Sequence, residues 1–335
     1  MTAAINPPSS AKLSSVPPPP AEPVRDLRYL ALRNFAISMT IFNILGYTVL
    51  GFEQPWLWPF FALLTGYTTE ALMDTIQAYF ERRKPRYLDG SMKERMAFFF
   101  PSHITSLAVN ILLYANDRFF PIVFGIVVAI TGKYILIAPI KGRMRHYMNP
   151  SNLGITAALV FFGSWVSIAP PYMFTEHVPD IFKIMIPMII ITAGTMINAK
   201  LTQRGMLIVG FAGAFAIQAL IRWWWYDIAV FSGLAVMTGV AFVLFTNYMI
   251  TDPGTSPSKP MHQFMFGGSV GAVYGVLMAF NVVYTLFFAV VIVCGIRGGY
   301  HWTLYLLNRS KEKSAAATPT QPVTTTGGGT EAVAA

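Results

Sequence analysis

Apolar residues gather along this chain into ten runs, at 35–52, 56–80, 101–116, 118–138, 150–168, 181–198, 203–221, 228–250, 263–280 and 282–306, with polar residues collected between them. The runs do not alternate residue by residue, as a half-buried strand would. Most are long enough for a helix to cross ~30 Å of hydrocarbon. A backbone in lipid must satisfy its own hydrogen bonds, so helices are the expected form, and the lack of alternation speaks against a transmembrane barrel. The third and ninth runs are short and comparatively polar. The pattern predicts an all-α, polytopic integral membrane protein of about ten transmembrane helices.

Charge adds an orientation. Lys and Arg cluster ahead of the first run (Arg25, Arg28, Arg33) and in every second loop: Arg82, Arg83, Lys84, Arg86, Lys93 and Arg95, then Lys141, Arg143 and Arg145, then Lys200 and Arg204, then Lys259. The tail after the last run adds Arg309, Lys311 and Lys313, whereas the intervening loops carry only Arg118, Lys183 and Arg222 beside several acids. Positive loops stay on the cytoplasmic side, so both termini are expected there. A missed run would invert every later loop, which makes the alternation an argument for the count.

Composition narrows the function classes. Hydrophobic residues are 54% and charged residues 12% of the 335-residue chain. The net charge of +9 follows from the basic loops, and with no motif that reads DNA or RNA a nucleic-acid partner is not expected; membrane lipids are. The single cysteine, Cys294, excludes an intrachain disulfide and a Cys-ligated cluster made by this chain alone. Residues 1–24, rich in Pro and Ser, read as a disordered arm, and 314–335, with Thr and Gly runs, as a disordered tail. Between them, 25–313 form one integral membrane domain.

Two stretches interrupt the helix-and-loop pattern: Met148-Asn149-Pro150-Ser151-Asn152-Leu153-Gly154 and Ile250-Thr251-Asp252-Pro253-Gly254-Thr255-Ser256-Pro257. Proline disfavours helix in the residue before it, so Asn149 and Asp252 should be extended. Asn or Asp before a first-turn proline is an N-cap arrangement, and each new helix would present free amides to an anionic or phosphate-bearing ligand. The plainer reading is a capped helix at each.

The segment Lys133 to Ile155, with a lysine near one helix end and MNPSNLGI opening the next, resembles the D subunit of the Rnf electron-transport complex. The segment Asn247 to Gly275, NYMITDPGTSP followed by a Gly-rich run, is similar to that family's "ATDPVSAP" stretch. The B subunit of the sodium-pumping NADH:quinone oxidoreductase shares that fold, so the resemblance is to the RnfD/NqrB family. It runs in order over most of 56–305, with strong identity confined to the two motifs. Within that family the chain looks most like the divergent D-subunit-like membrane proteins of enediyne biosynthesis cassettes.

The resemblance implies a flavin-associated electron-transfer subunit in a bacterial inner membrane, with partner redox proteins. In the family a covalent FMN hangs from a threonine in an SGAT-type motif. The corresponding loop, APPYMFTEHVPDIF at 169–182, has only Thr175 and no such motif, so covalent FMN is not expected. A non-covalent flavin (FMN or riboflavin) or a quinone is the expected cofactor. Asn149, Pro150, Ser151, Thr251, Asp252 and Pro253 would approach its polar end.

Ionisable groups within the runs suggest a second chemistry. Glu70 and Asp74 are four apart, hence on one helix face, and Lys133 lies near a helix end. Intramembrane carboxylates serve ion or proton relays, but the same residues can form a structural ion pair with one another or with Arg82 and Arg83. Asn110, Asn198 and Gln218 read as interhelical hydrogen bonders, Gly267, Gly268, Gly271 and Gly275 as a packing stripe, and Trp56, Trp58 and Trp223–Trp225 as interfacial anchors. No nucleophile triad, Walker loop or dinucleotide fingerprint is present, and His103 and His301 stand alone, so neither a complete enzyme nor a metal site is expected. Two readings stay open: a subunit of a redox system, and a transporter of ions or natural products.

Overall fold

The computed structural model describes residues 27–170 and 174–317, so the N-terminal arm at 1–24 and most of the expected tail lie outside it. The described chain is mostly helical, and helices occupy all ten apolar runs. They are α1 (Leu27–Thr48), α2 (Trp58–Glu81), α3 (Met92–Leu112), α4 (Phe120–Ile135), α5 (Pro150–Phe162), α6 (Asp180–Ile197), α7 (Gly205–Tyr226), the short α8 (Val230–Ala235) and α9 (Val240–Leu244), α10 (Pro260–Ala279) and α11 (Thr285–Ala317). The last helix continues through Ser314–Ala317, into the stretch expected to begin the tail.

By length and composition, three of the described helices can cross a membrane: Asp180–Thr202, Gly205–Tyr226 and Thr285–Glu312. Val230–Thr238 and Val240–Met249, bent by 66°, make a fourth if they form one span. The other apolar runs are helical but shorter or more polar. Helices α4 and α5 have 16 and 13 residues. Helix α2 carries Glu70, Asp74 and Glu81, and α3 opens with Lys93 and Glu94.

Local chemistry sets the helix ends. Ser91 and Glu94 form a reciprocal capping box at the start of α3, and Arg82 closes α2 in a left-handed conformation. The Lys141-Gly142 pair, with φ of 52° and 74°, makes the tight turn of a hairpin between β2 (Ile137–Ile140) and β3 (Arg143–His146). A second small ribbon pairs β1 (Leu113–Tyr114) with β4 (Ser167–Ile168). Strands β1 and β4 lie inside the third and fifth apolar runs and β2 begins inside the fourth, where helix was expected; only β3 lies wholly in an expected loop. Positive φ at Lys141 and the Lys-Gly sequence are the signals a hairpin reading needs.

Helices α7 and α10 pack most intimately, because a side-chain carbon on Gly267 would strike the Leu207 carbonyl and one on Gly271 the Ala214 side chain. Gly268 lies off this contact. Gly154 of α5 likewise meets the Gly125 backbone of α4. Beside α7 and α10, an aromatic cluster fills the core: Phe215 lies 4.7 Å from Tyr274 and 4.9 Å from Phe242, and Phe245 lies 5.7 Å from Phe287, ring centre to ring centre. Trp56 and Trp223–Trp225 are exposed as interfacial residues should be. Trp58 is not: it is buried against Phe119, so its role is packing.

Candidate functional site

The two interrupting motifs are distant in sequence and meet in the fold. Asn149 is extended (φ −68°, ψ 120°), and its side-chain oxygen accepts from the Asn152 amide at 3.0 Å and the Ser151 hydroxyl at 3.1 Å. Its side-chain NH2 donates across to the Met249 carbonyl at 2.7 Å. Asn152 donates to the Phe287 carbonyl at 2.7 Å, tying the start of α5 to α11. One short polar residue therefore caps its own helix and clasps the second motif.

The second motif has a different form from the one expected. No helix begins at Pro253, and α10 starts only at Pro260. Asp252 caps a turn instead, its two carboxylate oxygens accepting from the Gly254 amide at 3.0 Å and the Thr255 hydroxyl at 2.9 Å. Pro253 allows this because, after an Asp, it favours turn initiation as readily as a helix start. Thr251 is buried, its hydroxyl donating to the Asn247 carbonyl at 2.7 Å.

Two π-helical turns deliver these parts, at Asn198–Thr202 and Phe245–Met249. They are joined where Asn198 donates to the Asn247 carbonyl at 2.7 Å. The extra residue in such a turn re-aims the chain beyond it. The first hands on Arg204, whose Nε donates to Ser256 Oγ at 2.9 Å. The second hands on the Met249 carbonyl and the Thr251–Ser256 turn.

The expected flavin or quinone can be tested against this geometry. At the start of α5, Pro150 has no amide, and those of Asn152 and Leu153 are taken by Asn149 itself. Both oxygens of Asp252 are taken within its own turn. As placed, the Asn152 and Leu153 amides and both Asp252 oxygens are engaged by the chain's own capping bonds, and a ligand that used them would have to displace those bonds.

The two buried carboxylates of α2 are paired. Lys133 Nζ lies 2.5 Å from both oxygens of Glu70, and the Tyr134 hydroxyl donates to Glu70 at 2.8 Å. Asp74, fully buried, accepts from Arg83 at 2.8 Å and from the Arg86 amide at 2.6 Å. The two acids share a face of α2 but answer to different partners, Glu70 to α4 and Asp74 to the loop beyond α2. Both acids are ion-paired as placed, an arrangement that a structural pair and a relay at rest have in common. Asn110 bonds Asn43 and Tyr47 across helices, whereas both polar atoms of the Gln218 side chain are buried without a hydrogen-bond partner among the described residues. His103 is held through both ring nitrogens, by Thr40 at 2.8 Å and Tyr67 at 2.6 Å.

Three residues near the second motif escaped the sequence reading. Arg204 was legible only as a loop charge, yet it is 8% exposed. Arg297, inside the last apolar run, donates to the Thr255 carbonyl and lies over the Phe266 ring at 5.9 Å. A lone arginine in that run was its available signal. His146, at the end of β3, adjoins the turn, and burial lowers its pKa while the charge of Asp252 opposes the shift. No family model matches this chain, and no curated protein compared with it matches either.

Proposed function

We propose that the chain is a multi-pass membrane subunit of an electron-transfer system of the RnfD type, with about ten membrane-embedded helical segments. It borders a flavin or quinone rather than enclosing one. The observation that carries the proposal is the Asn149–Met249 hydrogen bond, by which the two motifs behind the resemblance become one hydrogen-bonded unit, tied to α11 through Asn152. Service to natural-product biosynthesis belongs to the same reading. The chain's own residues position the membrane helices and hold buried charge in place; the redox chemistry is a cofactor's.

Visible absorbance of the detergent-purified protein, followed by flavin fluorescence in supernatant and pellet after acid denaturation, tests this reading. Flavin in the supernatant supports it. Flavin in the pellet places a covalent group on the chain. If neither fraction holds flavin and no quinone co-purifies, with or without partner proteins, the redox reading fails. Labelling of the 169–182 loop from the cytoplasmic side would overturn the orientation.

A second reading, ion transport, is favoured by one specific feature. Glu70 is almost fully buried and its countercharge is a single lysine, helped by the Tyr134 hydroxyl. A carboxylate in such surroundings can exchange a proton or cation when the lysine moves. Ion flux into proteoliposomes that is lost in Glu70→Gln would favour this reading; unchanged flux removes it.

A further inference from the structure

The turn from Asp252 to Ser258 is surrounded by more positive than negative charge. Arg204, more than nine-tenths buried, is bonded through Nε to the neutral Ser256 hydroxyl. Arg297 donates to the Thr255 carbonyl, another neutral acceptor. Lys141, at the tip of the β2–β3 hairpin, donates to Ser258 Oγ at 2.8 Å. Among the described residues, no carboxylate lies within ion-pair distance of any of these three cations. The turn's one acid, Asp252, is close enough for Arg204 to feel its charge, but both its oxygens are bound within the turn.

A guanidinium has five donors, and one neutral acceptor leaves most of them unanswered. Arg204 is buried over most of its surface and Arg297 is partly buried, and charges so placed gain from an anion that takes up their remaining donors. Arg297 also bears on Arg204 as a like charge. An oxyanion between them would supply what the chain withholds, since the planar guanidinium fork matches phosphate oxygens. Gly254 at the tip of the turn is exposed, and the space beside its backbone is bounded by His146, whose Nε2 would lie 2.9 Å from a carbon placed there, and by both Asp252 oxygens at 3.3 Å.

We propose that this turn is an oxyanion-binding site, in which Arg204 and Arg297 hold a phosphate group and Lys141 draws it in. The phosphate belongs either to a soluble phosphate ester or to an anionic lipid headgroup. The proposal stands on the arginines and the turn alone, whether or not the chain serves a redox system. Asp252 opposes the anion and limits its affinity.

The test uses the full chain. Inorganic phosphate is titrated calorimetrically in neutral detergent at fixed ionic strength, and lipid retention is measured in phosphatidylcholine nanodiscs with and without phosphatidic acid. One saturable site is expected for at least one probe, weakened tenfold or more in Arg204→Gln and in Arg297→Gln. Asp252→Asn should tighten it severalfold, which a purely structural arginine role would not do. Phosphate binding without lipid retention assigns a soluble ligand, and the reverse assigns a headgroup. If the arginine variants do not fold, Lys141→Gln and Asp252→Asn decide, with weakening expected from the first and tightening from the second. Binding of neither probe, or binding indifferent to these substitutions, overturns the proposal.

Discussion

Two charged regions of this molecule use the same residue types and reach opposite states. Around α2 and α4 each buried acid has its own base, Glu70 with Lys133 and Asp74 with Arg83. Around the Asp252 turn, arginines come from two separate parts of the chain and the acid answers neither of them directly. The first region is closed: its charges cancel, and its hydrogen bonds end within the chain. The second retains unspent donors. Charge in a membrane protein is therefore read by what it faces, since a buried ion that is matched makes structure and one that is unmatched waits for a ligand.

The comparison is most easily broken at Lys133. Lys133→Met leaves Glu70 buried without its cation, for which a loss of roughly 3–5 kcal/mol is expected. Adding Glu70→Gln should recover much of that loss, and the midpoint of thermal unfolding in detergent measures both. If the single variant is as stable as the parent, the first region is not closed by this pair. Next comes Gly267→Val, which forces a side chain into the Leu207 backbone near Arg204. Overpacking of this kind costs about 1–3 kcal/mol. It should also weaken phosphate binding, and unaltered binding in the destabilised protein would separate the turn from the α7–α10 contact.

Asn149→Ala removes a helix cap and the clasp to Met249 together. A loss of about 1 kcal/mol is expected for the cap, with a further ~1 kcal/mol for the interhelical bond. Faster hydrogen exchange at both motifs, not at α5 alone, would show that they act as one unit.

The smallest expected effect is a pH dependence at His146. Burial depresses its folded pKa below the ordinary value, against the pull of Asp252, while Lys133, Arg145 and Glu70 also face it. The folded state then binds the proton less readily than the unfolded state. The stability involved is fully present above the unfolded pKa of about 6.5 and is lost as pH falls through it. The melting midpoint of the parent should drop more between neutral and mildly acidic pH than that of His146→Gln. Parallel slopes would exclude His146 as the source.

Much of this was legible from pattern alone. The helical runs, the cap at Asn149 and the glycine face of α10 each depend on neighbours within a few residues, and local spacing reports such neighbours. The Asp252 turn was half legible: Asp-Pro announced a cap, but whether it capped a helix or a turn depended on Gly254 and Thr255 and on the entry from the π turn at Phe245–Met249. The hairpin at Lys141-Gly142 was hidden because its first strand continues the apolar run of α4 and its second, Arg143–His146, reads as a basic loop.

By itself the sequence determined a helical, membrane-compatible chain, with Glu70 and Asp74 on one helix face and two Pro-centred interruptions. Only the tertiary structure decided that Lys133 answers Glu70, that Asn149 holds Met249, and that Arg204 and Arg297 meet at one turn without an ion pair among the described residues. The reason is physical. Helix periodicity places a charge on a face, but its partner comes from another helix, and the register between helices is chosen by packing summed over the whole core.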